Sequence, residues 1–489
     1  MSELVRPFVL RRSSVALAVA SVVFVSGCAV GPNYRPPTVA LDATFVNATP
    51  TATASADIAT FWRGFGDADL TALVERALAA NGDVRIARAR LQESRAILQG
   101  ARAELLPEIG VAADAGRSLQ PEYLFPGLSR SQRTGNAFDA AFTANWELDF
   151  FGRNRRASES AAAQVSASEA GVHAAQTAIA AEVARNYLEL RGLQQRLAVA
   201  RDSIGNQRET LRLTEARLDV GRGTRLDVVR AKSLLDSTEA TLPVLQAAVD
   251  RSAYRIATLV AEPIRSVVAR VATPKLLPTL AVTDLSALPL GTPEQLLQRR
   301  PDLVQSERQL AAATANIGVA TADLFPRISL TGLIGFASNR LTFLGRSDTQ
   351  EYTLGAGLTW PLLDFGRVRS RIGASEAQAL QALASYEQTV ATALEETEGA
   401  LSQFTSSAQQ ADKLASAARN AEDATRLSRV RFDAGAVDFL IVLDAERQSL
   451  IARDALVQAQ VSQATALISI YRALGGGWSD TAAPAVAAN

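Results

Sequence analysis

Apolar and polar residues alternate one by one in four short segments, which is the pattern of a β-strand with one apolar face. The alternation is clearest over residues 138–148, where Phe138, Phe142 and Trp146 fall on one face and Asp139 falls on the other. A tilted strand that crosses a membrane has this length and pattern. The other alternating segments are 109–115, 328–334 and 352–362, the last of which runs through Trp360 to Leu362. The pattern therefore predicts four amphipathic strands, with a loop over 117–135 between the first two.

Two very long proline-free segments follow the second and the fourth strand, and their composition is typical of helices. The first runs from Arg153 to about residue 220, and the second runs from Arg367 to about residue 434. At 1.5 Å per residue each helix would be about 100 Å long, so it needs neighbours along its whole length. Gly221 and Gly435 are expected to end these helices, and Gly223 belongs to the first of the two stops.

A return helix is expected after each stop. Thr224 and Asp227 have the spacing of a capping box, which would begin a helix that runs to about residue 259. Asp438 is the expected cap of a last helix that runs to about residue 474. Before the second strand pair, residues 291–325 are expected to be helical up to Pro326.

The chain contains an internal duplication. The segments NWELDFFGR (145–153) and TWPLLDFGR (359–367) are 214 residues apart, and the prolines that precede the strand pairs, Pro107 and Pro326, are 219 residues apart. A repeat of this size sets the domain organisation. The predicted parts are a first repeat at 61–262, an equatorial link at 263–292, a second repeat at 293–474 and a disordered tail at 475–489.

The N-terminus has the features of a secretion signal. Basic residues precede the apolar stretch 15–25, and small residues precede Cys28. The sequence VSGC predicts a lipoprotein signal at 1–27, cleavage before Cys28 and acylation of that residue. An ordinary secretory signal with an accidental cysteine is the alternative. Residues 28–60 contain four prolines and no periodicity, so an acylated, extended tether is expected.

Four amphipathic strands cannot close a barrel, because small barrels need about eight strands and every sheet edge in lipid must be paired. Several chains are therefore expected to pool their strands, and the long helices are expected to pack beside those of neighbouring chains. A ring of strands that continues into a ring of helices would enclose a conduit. The alternative is a soluble β-sandwich, which would need a second layer that the sequence does not offer. The predicted fold class is mostly α-helical with membrane β-strands.

Composition and charge argue against several classes of function. The 50 basic residues equal the 50 acidic ones, which argues against a nucleic-acid-binding surface. The single histidine, His173, is expected to be an ordinary helix-surface residue, so no hydrolytic nucleophile–base pair is expected. One cysteine and one methionine argue against a metal relay, and no phosphate-binding loop occurs. No metal, no cofactor and no enzymatic activity are therefore expected.

Several segments together resemble the TolC-type outer membrane efflux proteins, in the lipoprotein branch called NodT-like. They occur in order over nearly the whole mature chain and are CAVGPNYRPP, the W-x-x-F-x-D segment at 62–67, RRPDLVQSERQLAAATANIGVATADLFPRISLTG, WPLLDFGR and RFDAGAVDFLIVLDAER. The resemblance implies a homotrimer, with a twelve-stranded barrel in the outer membrane and a helical barrel that extends into the periplasm. It also implies partners, namely a periplasmic adaptor protein, an inner-membrane transporter and outer membrane lipid. The implied activity is passive conduction of small toxic compounds or drugs to the exterior.

The resemblance also assigns roles to residues near the two helix turns. Leu440 and Asp444, which are four apart and share a helix face, match the positions that narrow the family's pore. Three Asp444 carboxylates near a trimer axis would favour cations and repel one another. The alternative is that Asp444 is a solvated residue near a positive helix end. The implied adaptor-facing tip comprises Gly221, Gly223, Thr224, Gly435 and Asp438, and the candidate latch or adaptor contacts are Arg217, Asp227, Arg431 and Asp433.

Two other functions remain open from the sequence. A structural lipoprotein could span the envelope as a coiled coil without a pore, but it would not need four strictly alternating strands. A protein-secretion channel of the same family would share the architecture, but it would less often carry a lipoprotein signal. The favoured interpretation is the outer membrane channel of a tripartite efflux pump, anchored by lipid at Cys28.

Overall fold

The computed structural model describes residues 29–47, 58–278, 285, 288 and 290–478. Helices make up most of these residues, and two strand pairs lie between them in the predicted order. The helices are α1 (Ala68–Ala80), α2 (Gly82–Ala103), α3 (Arg153–Asp219), α4 (Arg225–Glu239), α5 (Thr241–Val260), α6 (Ile264–Val271), α7 (Pro293–Arg299), α8 (Pro301–Ala322), α9 (Arg367–Asp433) and α10 (Phe439–Ala473). The strands are β1 (Glu108–Leu119), β2 (Thr134–Leu148), β3 (Arg327–Ser338) and β4 (Gln350–Thr359).

The described residues form two compact units, and each unit contains parts of both repeats. Unit 1 covers residues 29–38, Leu91–Ser168 and Ser306–Tyr386, and unit 2 covers the other described residues. The strands lie in unit 1, and the turns that follow α3 and α9 lie in unit 2.

Unit 1 contains one antiparallel sheet with the strand order β1-β2-β3-β4. Phe142 of β2 lies opposite Val111 of β1 and Ile334 of β3, and Ile334 lies opposite Tyr352 of β4. The predicted alternation is confirmed, because these four residues share one face and are between 61% and 83% exposed. Within the described residues, β1 and β4 are the outer strands, and each has one edge without a partner strand.

The two strand pairs are duplicated in three dimensions as well as in sequence. The pair Ile109–Ala144 of the first hairpin corresponds to the pair Ile328–Leu358 of the second, with the same shifts of 219 and 214 residues. The tryptophan of each copy makes the same contact: Nε1 of Trp146 donates to the Leu105 carbonyl, and Nε1 of Trp360 donates to the Leu324 carbonyl, both at 3.0 Å. A contact in one copy is therefore a guide to the equivalent contact in the other.

The strand ends differ from the prediction in two places. β1 continues to Leu119 and β2 begins at Thr134, so the connecting loop is shorter than the predicted 117–135. β4 ends at Thr359, so the prediction that Leu362 lies on this strand is wrong. Pro361 accounts for this end, because proline has no N–H to donate to a strand ladder.

The two long helices are confirmed. α3 and α9 each contain 67 residues without interruption. Many of their buried residues are small, such as Ala180 and Ala184 in α3 and Ala393 and Ala400 in α9. Small side chains allow neighbouring helix axes to lie close together. None of the helices in the described ranges is long and apolar enough to cross a membrane.

Prolines divide two helices that were predicted to be continuous. The return helix of the first repeat breaks at Ala240, because Pro243 lacks the N–H that would bond to the carbonyl of Glu239. The helix predicted over 291–325 is interrupted at Arg300, directly before Pro301, because proline disfavours a helical conformation in the residue before it. The link at 263–292 contains a helix of its own, α6.

The core of unit 2 includes α1 and a buried charge. Four residues of α1 recur at helical spacing and are 0% exposed: Leu70, Leu73, Val74 and Ala77. Arg191 is also 0% exposed, and its Nη2 lies 3.2 Å from Oδ2 of Asp69. Its Nη1 donates to the Thr273 carbonyl at 2.9 Å. Pairing of this kind is what makes a buried guanidinium tolerable.

Residues 475–478 pack within unit 2, so the prediction that the disordered tail begins at residue 475 is wrong. Gly475, Gly476 and Gly477 are buried, and Gly477 donates its N–H to the Ile58 carbonyl at 3.0 Å. Residues 479–489 lie outside the described residues.

Candidate gate at the helix turns

The turns that follow α3 and α9 have the same backbone structure. Gly221 and Gly435 are left-handed, with φ of 74° and 72°. The N–H of Arg222 bonds to the Arg217 carbonyl, and the N–H of Ala436 bonds to the Arg431 carbonyl, both at 2.8 Å. This pattern is the Schellman motif, which satisfies the last carbonyls of a helix and needs glycine at the left-handed position.

The residues after each turn begin the return helices as predicted. Thr224 and Asp227 form the expected capping box, in which the Thr224 side chain accepts from the Asp227 N–H. The Asp438 carboxylate accepts the N–H of Leu440 at 2.8 Å and caps α10. Gly223 is not left-handed, but an added Cβ there would lie 3.2 Å from the backbone nitrogen of Leu218. Its small size therefore suits a close backbone approach.

Two of the four candidate latch residues form an ion pair. Nη2 of Arg217 lies 3.3 Å from Oδ1 of Asp433, and the guanidinium lies 4.1 Å from the centre of the Phe432 ring. The pair joins the last turn of α3 to the last turn of α9. Asp227 is used in the capping box, and Arg431 is exposed and forms no ion pair with a described residue. The structure brings together Arg217 and Asp433 and leaves the other two apart from them.

Leu440 and Asp444 lie on one exposed face of α10. Leu440 is 50% exposed, and the Asp444 side chain is 54% exposed. The Asp444 carboxylate is paired within the chain, because Nη2 of Arg447 lies 2.6 Å from its Oδ1. These three residues border a groove of about 320 Å³ whose opposite wall is formed by residues of α4: Arg230, Ser233, Leu234 and Ser237.

An apolar cluster beneath this face holds the helices around the turns together. Its members come from α3, α4, α9 and α10, with the rings of Phe432 and Phe439 at 5.2 Å between centres. Burial of apolar surface stabilises the folded protein by about 25 cal/mol per Å². The cluster therefore holds in place the part of α10 that carries Leu440 and Asp444. The buried members are Ala231, Phe439, Val442 and Leu443, and Leu211, Leu234 and Phe432 pack against them.

A buried carboxylate near this cluster was not predicted from the sequence. The Glu446 side chain of α10 is 4% exposed, accepts from Oγ1 of Thr210 in α3 at 2.7 Å and lies 2.7 Å from Nη2 of Arg429 in α9. It therefore connects three helices. The sequence carried a usable indication, because Glu446 follows Val442 and Leu443 at helical spacing and so falls on the buried stripe of α10.

Cys28 lies outside the described residues, but the residues that follow it are held firmly in unit 1. The guanidinium of Arg156 donates to the carbonyls of Val30 and Gly31 and, at 2.7 Å, to Oδ1 of Asn33. A Cβ on Gly152 would lie 2.6 Å from Ala29. The predicted extended tether therefore runs against the protein over this stretch, because Arg156 satisfies its backbone carbonyls.

Residues 39–47 of the tether are likewise bound, in unit 2. Phe45 is 4% exposed, and the Glu398 carboxylate accepts the N–H of Val46 at 2.6 Å and the side-chain amide of Asn47 at 2.8 Å. Residues 48–57 lie outside the described residues.

The family described as "outer membrane efflux protein" matches residues 73–262 and 292–476. The matched segments follow the two repeats and contain both helix turns. The chain belongs to the outer membrane efflux protein family. It is accordingly the outer membrane channel component of an efflux pump, and its location is the outer membrane.

Known proteins are similar to the chain over almost its whole length. The pyoverdine export outer membrane protein OpmQ of Pseudomonas aeruginosa is 33% identical over 429 residues, which cover 87% of this chain and 88% of OpmQ. Nodulation protein T of Rhizobium leguminosarum bv. trifolii is 32% identical over 461 residues, which cover 94% of this chain and 96% of the relative. The solved outer-membrane channel OprN has a TM-score of 0.85 and 39% identity, and the match covers 92% of this chain and 100% of OprN.

Outer membrane efflux proteins are channels rather than enzymes. Among the described residues, no group of three or more His, Cys, Asp or Glu side chains could hold a metal ion. His173 is not the ordinary helix-surface residue that was expected. It is partly buried, and the centre of its ring lies 4.2 Å from that of Trp478, because residues 475–478 pack here.

Proposed function

We propose that three copies of this efflux protein form a twelve-stranded barrel in the outer membrane, which continues into a helical barrel in the periplasm. The observation that carries the proposal is the four-stranded sheet, which has two outer edges without a partner among the described residues and one apolar face that is largely exposed. In lipid every backbone N–H and C=O group must be satisfied, so such a sheet needs further strands on both edges. Three sheets of four strands supply a closed barrel.

The opposite face of the sheet supports an aqueous interior. It carries polar side chains and glycines, and a concave surface there is lined by Glu108, Gly110, Thr143, Asn145, Thr331 and Thr353, among others. In a closed barrel this face would line the lumen, because successive residues of a strand point to opposite sides. Small toxic compounds or drugs would pass through it without a dedicated binding site.

Conduction is proposed to be passive. The inner-membrane transporter would supply the energy, and a periplasmic adaptor would dock at the helix turns, where Gly221, Gly223, Thr224, Gly435 and Asp438 form the tip. The exported compounds would be small toxic molecules or drugs. OpmQ is named for pyoverdine export, which is a property of that relative.

The gate is proposed to lie at Leu440 and Asp444, with the Arg217–Asp433 pair as a latch. The exposed positions of Leu440 and Asp444 support this assignment, because pore-lining residues must be accessible from the axis. The ion pair between Asp444 and Arg447 adds Arg447 to the charged ring. Asp227 and Arg431 are proposed as adaptor contacts, since neither takes part in the ion pair.

Acylation of Cys28 is proposed to add a lipid anchor. The attachment of residues 29–33 to Gly152 and Arg156 supports it, because Ala29, the residue that would follow the acylated cysteine, lies beside Gly152. The acyl chains would begin close to the end of β2, where the sheet meets α3.

The mass and the conductance of the mature protein, extracted in mild detergent, test this function. We expect a particle of three subunits that forms ion-conducting pores in a planar bilayer. A monomer that gives no conductance would contradict the proposed trimeric channel. A heat-denatured sample of the same preparation is the control for conductance caused by detergent.

A further inference from the structure

We infer that β4 of one copy pairs with β1 of the next copy in a single defined register, in which Ala356 lies opposite Ala115 of the partner subunit. The inference rests on the proposed barrel and specifies its subunit interface. The occupant of both open sheet edges is therefore a second copy of this chain.

The internal duplication supplies the reason. In a closed ring the strand order is β1-β2-β3-β4 followed by β1 of the partner. Pairings within a hairpin therefore alternate around the ring with pairings between hairpins. The pairing within a hairpin occurs twice in the chain and has equivalent registers, as Ile109–Ala144 and Ile328–Leu358 illustrate. The pairing between hairpins occurs once within the chain, between β2 and β3, and its second occurrence is the subunit interface.

The known register of β2 and β3 then gives the unknown one. Phe142 lies opposite Ile334, and the repeat shifts convert this pair to Ala356 and Ala115. Ala144 lies opposite Gly332, which converts to Leu358 opposite Ala113 of the partner subunit.

The derived register keeps the two faces of the sheet separate across the interface. The pair Trp146–Leu330 converts to Trp360 opposite Val111 of the partner subunit, and both residues belong to the apolar face, with exposed fractions of 50% and 72%. A slip of one residue would turn the apolar residues of one strand to the lumen. The alternative register that remains is shifted by two residues, because such a shift keeps every side chain on the same face of the sheet.

A contact outside the sheet supports the same interface. Phe151, just after β2, stacks on Phe325, just before β3, with ring centres 4.6 Å apart. Their counterparts are Phe365, just after β4, and Leu106, just before β1. Phe365 is 93% exposed and Leu106 is 66% exposed. Packing of Phe365 on Leu106 of the partner subunit would reduce the exposure of both, as the equivalent pair Phe151–Phe325 is partly buried within the chain.

Disulfide cross-linking distinguishes the derived register from a slip of two residues. A disulfide needs Cα atoms within about 6.8 Å. Directly opposite residues meet this limit at about 4.5–5.5 Å, whereas residues displaced by two positions are about 7–8 Å apart. Within one chain β1 and β4 are three strand spacings apart, about 14 Å, so any disulfide between them joins two copies.

Four double variants of the full-length protein form a matched set, oxidised with copper phenanthroline in isolated outer membranes. Ala356→Cys with Ala115→Cys, and Leu358→Cys with Ala113→Cys, should shift the main band from monomer to covalent dimer and trimer on a non-reducing gel. Ala356→Cys with Ala113→Cys, and Leu358→Cys with Ala115→Cys, should remain monomeric bands. The unaltered protein, with Cys28 alone, and the four single variants are the controls for background and for assembly.

The possible outcomes distinguish a wrong register from a wrong proposal of the trimeric barrel. Cross-linking of either one of the last two variants instead of the first two would overturn the register and keep the pooled strands, because each of them reports a slip of two residues in one direction. Absence of any cross-link in variants that still purify as three subunits would also overturn it. Absence of cross-links together with a monomeric particle would overturn the proposed trimer itself.

Discussion

Arg217 and Asp433 are 216 residues apart in the chain, and their side chains meet at 3.3 Å beside the two helix turns. Phe432 stacks beneath the guanidinium and limits its movement. An ion pair at this place ties the ends of α3 and α9 to each other, and its loss should loosen the tip.

We expect Arg217→Ala to raise the open probability of the single channel by up to about fivefold, because exposed ion pairs contribute about 0.2–1 kcal/mol and 1 kcal/mol changes an equilibrium about fivefold. Asp433→Asn should act in the same direction. Planar-bilayer recordings measure the change. The matched control is Arg208→Ala, which breaks an exposed ion pair with Glu239. A control variant that opens the channel as much as Arg217→Ala would contradict a specific latch.

We expect Asp444→Ala and Arg447→Ala to change charge selectivity in opposite directions. The first leaves three arginines near the proposed axis and should lower the preference for cations, whereas the second leaves three unpaired carboxylates and should raise it. Asp444→Ala should also raise passive conductance, because it shortens the side chain that narrows the proposed pore. Reversal potentials under a salt gradient measure selectivity, and unchanged values in both variants would remove these residues from the gate.

Removal of the Glu446 carboxylate should destabilise the helices around the turns. Glu446→Ala leaves Thr210 and Arg429 without their shared partner, which costs about 1–3 kcal/mol for a buried hydrogen-bonding group. Glu446→Gln should cost less, because its amide oxygen still accepts a hydrogen bond. The rate of limited proteolysis near the turns measures the local loss, with Gln448→Ala, on the exposed face of α10, as the control. Equal rates for Glu446→Ala and the control would mean that this carboxylate contributes no local stability.

Substitution of two equivalent glycines should distinguish the effect of the contact with Ala29 from the effect of backbone strain at the glycine. Gly152 and Gly366 both have positive φ, 79° and 90°, so alanine is strained at each. An added Cβ meets Ala29 at 2.6 Å in the first case and nothing within 4 Å in the second. We expect Gly152→Ala, but not Gly366→Ala, to expose residues 29–33 to protease. Similar cleavage in the two variants would mean that the tether does not depend on this contact.

Cys28→Ser should abolish acylation and still leave part of the protein assembled in the membrane, because the strands themselves would span it. Metabolic labelling with a fatty acid and membrane fractionation measure the two effects. Complete loss of membrane association would contradict the proposed barrel.

Much of the fold follows from local chemistry in the sequence. The alternation around Phe142 predicts a strand because its period of two is short-range, and the cap at Thr224 and Asp227 requires only four residues. The breaks at Ala240 and Arg300 were not predicted although Pro243 and Pro301 are visible in the sequence, since proline is tolerated in the first turn of a helix and interrupts a helix only in its interior.

Other features depend on packing between distant segments. The pairing of Arg217 with Asp433 and the contact of Arg156 with residues 29–33 bring together residues that no periodicity relates. Residues 475–478 have a composition typical of a flexible tail, yet Gly475 and Gly476 fit where backbone carbonyls leave no room for a side chain. Such a close approach between a glycine and a distant part of the backbone depends on the tertiary structure, so the local sequence does not predict it.

The equal length of α3 and α9 constrains how such a chain can change during evolution. One inserted residue would rotate everything beyond it by about 100° around the helix axis and move it by about 1.5 Å, so the buried stripe would turn to solvent. An insertion of seven residues nearly restores the rotation, but in one helix alone it would separate Arg217 from Asp433 by about 10 Å. Length changes that preserve the channel should therefore arrive in both repeats together, which predicts paired insertions of about two turns wherever a longer or shorter relative is compared with this chain.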